Sequence, residues 1–249
     1  MIIATSEQYN KVCIILETKR TLIIPVSSNL SFHNKRTKLS VMYVFDIDEQ
    51  QSYIIPISHP DIDINFDIPT NIKYAFVPSK NEALFLGINS ENLIDLGLLY
   101  YFQTGKKISL EKTTAQLFID RSFWNYPQNT HLIPMLKLLE YCKTNRKRYL
   151  ETIDVSNLMS PEYLEYNRDV IDAYYYIESN GIYTQKALEY TKYNLFTSTG
   201  RPSNTFSGIN YAALNKDDGS RKRFISRFDK GLLIEFDFDA YHLRLIAEL

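Results

Sequence analysis

Two kinds of periodicity follow one another along this chain, and their order limits the folds open to it. Residues 1 to about 70 carry short β-branched and aromatic runs: Val12 to Leu16, Leu22 to Val26, Leu39 to Phe45 and Tyr53 to Ile57. Polar turns such as Ser27-Ser28-Asn29 and Asp48-Glu49-Gln50 part them. These runs predict three or four strands of one largely antiparallel sheet. From Lys80 to about Arg148 the pattern turns helical, through Ala83 to Gly87, Leu93 to Tyr101, Ser109 to Phe118 and the longest run, Ile133 to Tyr149. Strands first and helices after predict an α+β, or mixed α/β, layered domain.

The 249 residues suffice for one large or two modest domains with real cores. A net charge of -1 gives no global basic character, so a nucleic-acid-binding face has to be a local patch. Cys13 and Cys142 lack metal-ligand spacing and read as reduced thiols rather than a disulfide framework. The opening segment does not read as a signal peptide, and no apolar run approaches the ~20 residues of a membrane span. The expectation is a soluble intracellular protein without a membrane partner. Glycine numbers only 8, and no glycine-rich phosphate cradle occurs.

Residues 152 to 162 are polar, contain Pro161, and read as a linker between residues 1–151 and 163–249. Beyond it, Leu164, Val170, Ile171, Tyr174 and Ile177 form a helical stripe that breaks at Ser179-Asn180-Gly181, with Gly181 at a C′ position. Asp61 to Asp67 alternates acid with apolar, but lacks the glycine and distal glutamate of a calcium loop. It reads as an edge strand or a loop with a solvated acidic side. Basic residues gather late, at Arg201, Lys216, Arg221, Lys222, Arg223 and Arg227. Such residues neutralise phosphates without reading sequence; for Arg221 to Arg223 the alternative is a solvated turn.

The last stretch, Gly231 to Leu249, opens as an apolar strand at Leu232-Leu233-Ile234. It reaches the acidic cluster Asp237-Phe238-Asp239 and turns helical, with Leu243, Ile246 and Ala247 on one face. A carboxylate at the mouth of a strand, just before a helix, is rigid and still reaches solvent. Hard cations such as magnesium need oxygen ligands placed that way.

Asp-Phe-Asp-Ala-Tyr-His-Leu-Arg, from Asp237 to Arg244, resembles the first palm motif of the DNA polymerase I family (family A), Asp-Tyr-Ser-x-x-Glu-x-Arg. Thr199-Gly200-Arg201-Pro202-Ser203-Asn204 resembles that family's Thr-Gly-Arg-x-Ser-Ser element. Gly208 to Tyr211 and Gly219 to Ile225 fall where the family has its Asn-Leu-Gln-Asn run and its Gly-x-x-Ile-Arg-x-x-Phe segment. Four elements share the family's order and spacing. The resemblance implies template-directed DNA synthesis in replication, with primer-template DNA and dNTPs as partners and a cytoplasmic location in a bacterial or phage-infected cell. It implies that Asp237 bridges two Mg2+ ions ~3.5–4 Å apart and that the Phe238 carbonyl adds a ligand. Tyr241 and His242 would face the nucleotide. His242 stands where the family has a glutamate under the sugar, which puts sugar discrimination in doubt; the bland alternative is a partly buried histidine on the helix flank. Arg201, and more weakly Asn210, would lie in the minor groove at the primer end. Lys216, Arg221, Lys222 and Arg223 would hold DNA.

The first half resembles the 3′–5′ exonuclease domain that precedes the polymerase domain in this family, down to the Ile-Pro-x-x-His ending Ile55 to His59. The resemblance implies a ribonuclease H-like fold that binds two metals through four carboxylates. Here the Asp-x-Glu pair of the first strand is replaced by Pro25 and Ser27, the middle acid falls near Asn81, and the Tyr-x-x-x-Asp helix reads Tyr141 to Asn145. Neutral side chains do not offset the desolvation of a divalent cation, so a degenerate exonuclease domain, kept as scaffold, is expected. Asp95 reads as a helix cap or a solvent-facing acid. The basic run Lys143 to Arg148 reads as a phosphate contact or a solvated helix face.

Glu178 to Ile182 resembles the helix end that precedes the family's thumb, yet only Tyr183 to Thr197 intervene where the family inserts about a hundred residues. The thumb is nearly lost, and weak, poorly processive DNA binding should follow. The fingers helix and the second metal-binding aspartate have no counterpart in these residues, and one carboxylate does not assemble a two-metal site. The chain alone should therefore not polymerise. It reads as the first part of a compact family A polymerase: a degenerate exonuclease-like domain, a linker, and a reduced thumb stem with part of the palm. The second reading is a non-catalytic DNA-binding remnant, or one subunit of a split polymerase completed by a separate C-terminal chain. The third is an active 3′–5′ nuclease.

Overall fold

The computed structural model describes residues 1–27, 39–62, 66–80, 82, 86–88, 90–107, 130–153, 160–205, 214–215 and 217–234. A five-stranded sheet organises the first part. Its strands are β1 (Arg20–Ser27), β2 (Leu39–Asp46), β3 (Gln51–Pro56), β4 (Tyr74–Val77) and β5 (Leu93–Asp95), in the order β3-β2-β1-β4-β5. The meander β1-β2-β3 is antiparallel, while β4 lies parallel to β1 and β5 parallel to β4. The class is mixed α+β. The antiparallel half agrees with the sequence pattern, and the parallel half adds to it. β2 is buried along its whole length. One face of it, Val41, Tyr43 and Phe45, shares a buried cluster with the helical residues Leu138, Cys142 and Tyr149.

The first helix corrects one expected strand. Val12 to Leu16 lies inside α1 (Ser6–Thr18), which buries Val12 and Leu16 one helical turn apart. Thr5 caps it by accepting from the Gln8 N–H, and the Gln8 side chain accepts from the Ala4 N–H. That is a capping box displaced by one residue. Leu93 to Tyr101, expected as helix, divides at Asp95 into β5 and α2 (Leu96–Thr104). Gly105, in the left-handed region at φ 65°, closes α2 by donating to the Tyr101 carbonyl.

The long helix α3 (Met135–Ile153) forms as the pattern predicts. Leu138, Cys142, Asn145 and Tyr149 are buried on it at helical spacing. Its start is fixed from the end of β3. The His59 Nε2 bonds the Ile133 carbonyl at 2.8 Å, and an Asp61 oxygen accepts from the Met135 N–H at 2.9 Å. A carboxylate there also meets the positive end of the helix dipole. Asp61 is thus a helix cap in a turn, and residues 63–65 of the same acidic segment lie outside the described residues, as does Ser109 to Phe118.

The chain forms two compact units: Met1–Ile177 with Asn194–Pro202, and Glu178–Tyr193 with Ser203–Leu249. The first continues through 152–162, where composition suggests a linker, because α4 (Pro161–Asn180) is knitted into it. Tyr163, 1% exposed, donates to the Asp95 carbonyl at 3.0 Å, and Asn167 donates to the Leu93 carbonyl at 2.7 Å.

In the second unit, β6 (Ile182–Tyr183) and β7 (Leu188–Glu189) form a short hairpin. Residues 223–225 run beside it, through Gln185 N–H to the Arg223 carbonyl and Ile225 N–H to the Tyr183 carbonyl. Leu232-Leu233-Ile234, expected as a strand, pairs with no strand among the described residues and is 84%, 55% and 72% exposed. No helix among the described residues is long and apolar enough to cross a membrane.

Candidate functional site

The described exonuclease-like positions do not share one face of the sheet. Leu22, Ile24 and Val26 of β1 share a buried cluster with Leu138, Cys142 and Tyr149 of α3. Strand alternation puts Pro25 on the opposite face, with Ile23. An acid pair on β1 directed at α3 would therefore stand at positions 24 and 26, one residue before the Pro25 and Ser27 expected from the motif. Asn145, 3% exposed, sits in the α3 stripe on the expected face. Isoleucine, valine and asparagine carry no charge and do not fit a divalent cation. Among the described residues no three His, Cys, Asp or Glu side chains converge as a metal site. Asn81 lies outside the described residues.

Local structure accounts for Pro25. β1 pairs with β4 only through Leu22, so Pro25 falls where the strand keeps β2 as its one neighbour. A missing N–H is tolerated there. The β1–β2 ladder then slips: Val26 faces Val41, but Ser27 faces Leu39. Ser40 is the extra residue of this bulge. Its hydroxyl bonds the Thr130 hydroxyl, and its carbonyl accepts from Ile57 and Ser58. The Ser27 hydroxyl is buried with no hydrogen-bond partner among the described residues.

A second polar cluster, which the motifs do not single out, lies at the end of β4 and β5. Asp95 accepts from the Lys80 N–H with one oxygen and from the Leu98 N–H with the other, capping α2. Its own N–H donates to Asn167 at 3.0 Å. Burial raises its pKa to about 6 against these bonds and the Lys80 charge. Glu82 is raised to about 7, again by burial, although it accepts from the Ser79 hydroxyl. The signal was Ser79-x-x-Glu82, a capping-box spacing. The Lys80 ammonium lies 5.5 Å from the centre of the Tyr174 ring. Burial also pushes the Tyr149 hydroxyl and the Cys142 thiol upward, so Cys142 is a core group and not a nucleophile. Both carboxylate oxygens of Asp95, its N–H and its carbonyl are engaged in structure, and the arrangement caps α2.

The basic residues of the later motifs divide between the units. Arg201, in the first unit, is exposed on a turn in which the Thr197 hydroxyl donates to the Arg201 carbonyl and Gly200 adopts φ 70°. In the second unit Ser220–Arg223 form a 3-10 turn. There Lys222 and Arg223 are exposed, while half-buried Arg221 donates to the Leu214 carbonyl. Arg223 stacks 5.2 Å from Phe224. Arg227 is a structural residue. It donates to the Asn180 side chain and to the carbonyls of Asn180 and Gly181, closing the C-terminus of α4. Asn210, Lys216, Asp237, Phe238, Tyr241 and His242 lie outside the described residues.

No protein-family model and no curated protein matches the chain. Among solved structures it is similar to the Trypanosoma brucei RNase D in complex with RNA U12. The match has 11% identity and a TM-score of 0.42, over 68% of this chain and 70% of that one.

Proposed function

We propose that this chain binds nucleic acid on a nuclease-type frame emptied of its metal-binding acids, and that it serves template-directed DNA synthesis as part of a complete family A polymerase. The observation that carries the first half is the face between β1 and α3. The positions directed there hold Ile24, Val26 and Asn145, none of which neutralises a cation. The mixed sheet is consistent with a ribonuclease H-like domain. The second half is supported by the four motif elements in sequence and by the exposure of Arg201, Lys222 and Arg223.

In this reading Asp237 and the Phe238 carbonyl would hold magnesium, whose charge would stabilise the attacking and leaving oxygens. Tyr241 and His242 would face the nucleotide. Asn210 and Lys216 join the exposed arginines and lysine on primer-template DNA. Asp237→Ala in the complete enzyme abolishes primer extension; extension retained at wild-type rate refutes the metal role. Leu232, Leu233 and Ile234 favour a split polymerase as the second reading, since an apolar segment left exposed suits completion by a separate C-terminal chain. Extension that appears only when such a chain is added supports it.

A further inference from the structure

We propose that the outer face of α3 is a second nucleic-acid site, taking the phosphodiester backbone of a single strand. Lys143, Thr144, Arg146, Lys147, Leu150 and Glu151 line an open groove of about 510 Å3. Three cations stand at i, i+3 and i+4 on this helix, a spacing at which like charges repel and destabilise it. Glu151 is the one acid in the groove. No ion pair holds Lys143, Arg146 or Lys147 among the described residues.

Arg146 is fixed in place. Its guanidinium lies 4.6 Å over the Phe45 ring and donates to the Ser52 hydroxyl at 2.9 Å. Its Nε is buried with no hydrogen-bond partner among the described residues. A part-buried cation with no carboxylate beside it is costly unless an anion completes it. A planar guanidinium between two exposed ammonium groups suits a run of phosphates. An open groove lined by three cations of one helix suits a strand better than a compact anion. The proposal is independent of the palm reading, since all six residues belong to the first unit.

The test uses Lys143→Ala with Lys147→Ala, both exposed on a helix that alanine favours. Arg146 is left alone because it packs on Phe45. Binding of a fluorescent single-stranded oligonucleotide is followed against salt, with inorganic polyphosphate as the second probe. The double variant should weaken strand binding about tenfold and reduce the slope of log K on log salt by about 1.4, two contacts' worth. Glu151→Lys should tighten binding. Unchanged affinity and slope in both variants overturn the proposal, as does wild-type protein that binds polyphosphate but not the strand. Lys222→Ala with Arg223→Ala, in the second unit, separates the two ideas. Loss there with no effect on α3 leaves the proposed function standing and removes this site.

Discussion

Both oxygens of Asp95 accept backbone N–H groups, yet burial outweighs them and lifts its pKa from 3.8 to about 6. Glu82 rises from 4.5 to about 7 for the same reason. The folded chain therefore holds these protons more tightly than the unfolded chain. Their contribution to stability is fully present below about pH 4 and is lost as pH rises through about 6 and about 7. The urea midpoint should fall between pH 5 and pH 7.5, and Glu82→Gln should flatten the upper part of that fall. A profile that rises toward pH 7.5, or one identical in the variant, contradicts the assignment. At this scale the sequence was half legible. Asp95 was readable as a cap but not as a buried one, because burial depends on Tyr163 and Asn167, which lie about seventy positions away. The motif puts Pro25 and Ser27 in the place of the acids, while the face toward α3 carries Ile24 and Val26; sequence alone does not fix that face, since a shift of one residue moves a side chain to the other side of the sheet.

Among the elements, α3 and α4 were legible because each carries a long stripe of one period, and β1 to β3 because each is short and bounded by turns. α1 was not. Its Val-Cys-Ile-Ile-Leu run is as apolar as a buried strand, and only the Thr5 and Gln8 cap signal and the 13-residue length distinguish it. The parallel strands β4 and β5 were missed because four and three residues carry too little periodicity. The end of α4 gives a sharper test. Gly181 has φ 58°, and an added Cβ would lie 2.7 Å from the Glu189 carbonyl and 2.9 Å from the Tyr190 ring. Gly87 has φ 68° with open space around it. Both Gly→Ala changes impose about 1 kcal/mol of backbone strain. Gly181→Ala should cost at least about 1 kcal/mol more by thermal denaturation, from the clash. Equal costs would mean that the hairpin beside Gly181 yields freely.

On the scale of the whole molecule, composition marks 152–162 as a boundary, while packing carries the first unit on to Ile177, within α4. Composition registers polarity and proline. It does not register that Tyr163 and Asn167, beyond the proline, bond the backbone of β5 and Asp95. A chain ended at residue 151 should unfold at lower urea than one ended at 202, by at least the ~2 kcal/mol that two buried hydrogen-bonding side chains contribute. Equal midpoints would restore the boundary at the linker. Of the four polymerase-like elements, Thr199–Asn204 and Gly219–Ile225 lie within the described residues, while Gly208–Tyr211 and Asp237–Arg244 lie outside them; the proposed synthesis rests on their order in sequence, and the lack of acids at Ile24, Val26 and Asn145 rests on geometry.

The proposed nuclease-type frame without its acids is tested most directly by incubating the chain with 5′-labelled single-stranded DNA and magnesium, and following binding and strand length together. The account predicts a bound strand that stays at full length. Shortening of the strand from its 3′ end that is lost in Asn145→Ala would contradict it, and would mean that the face between β1 and α3 is a working nuclease site.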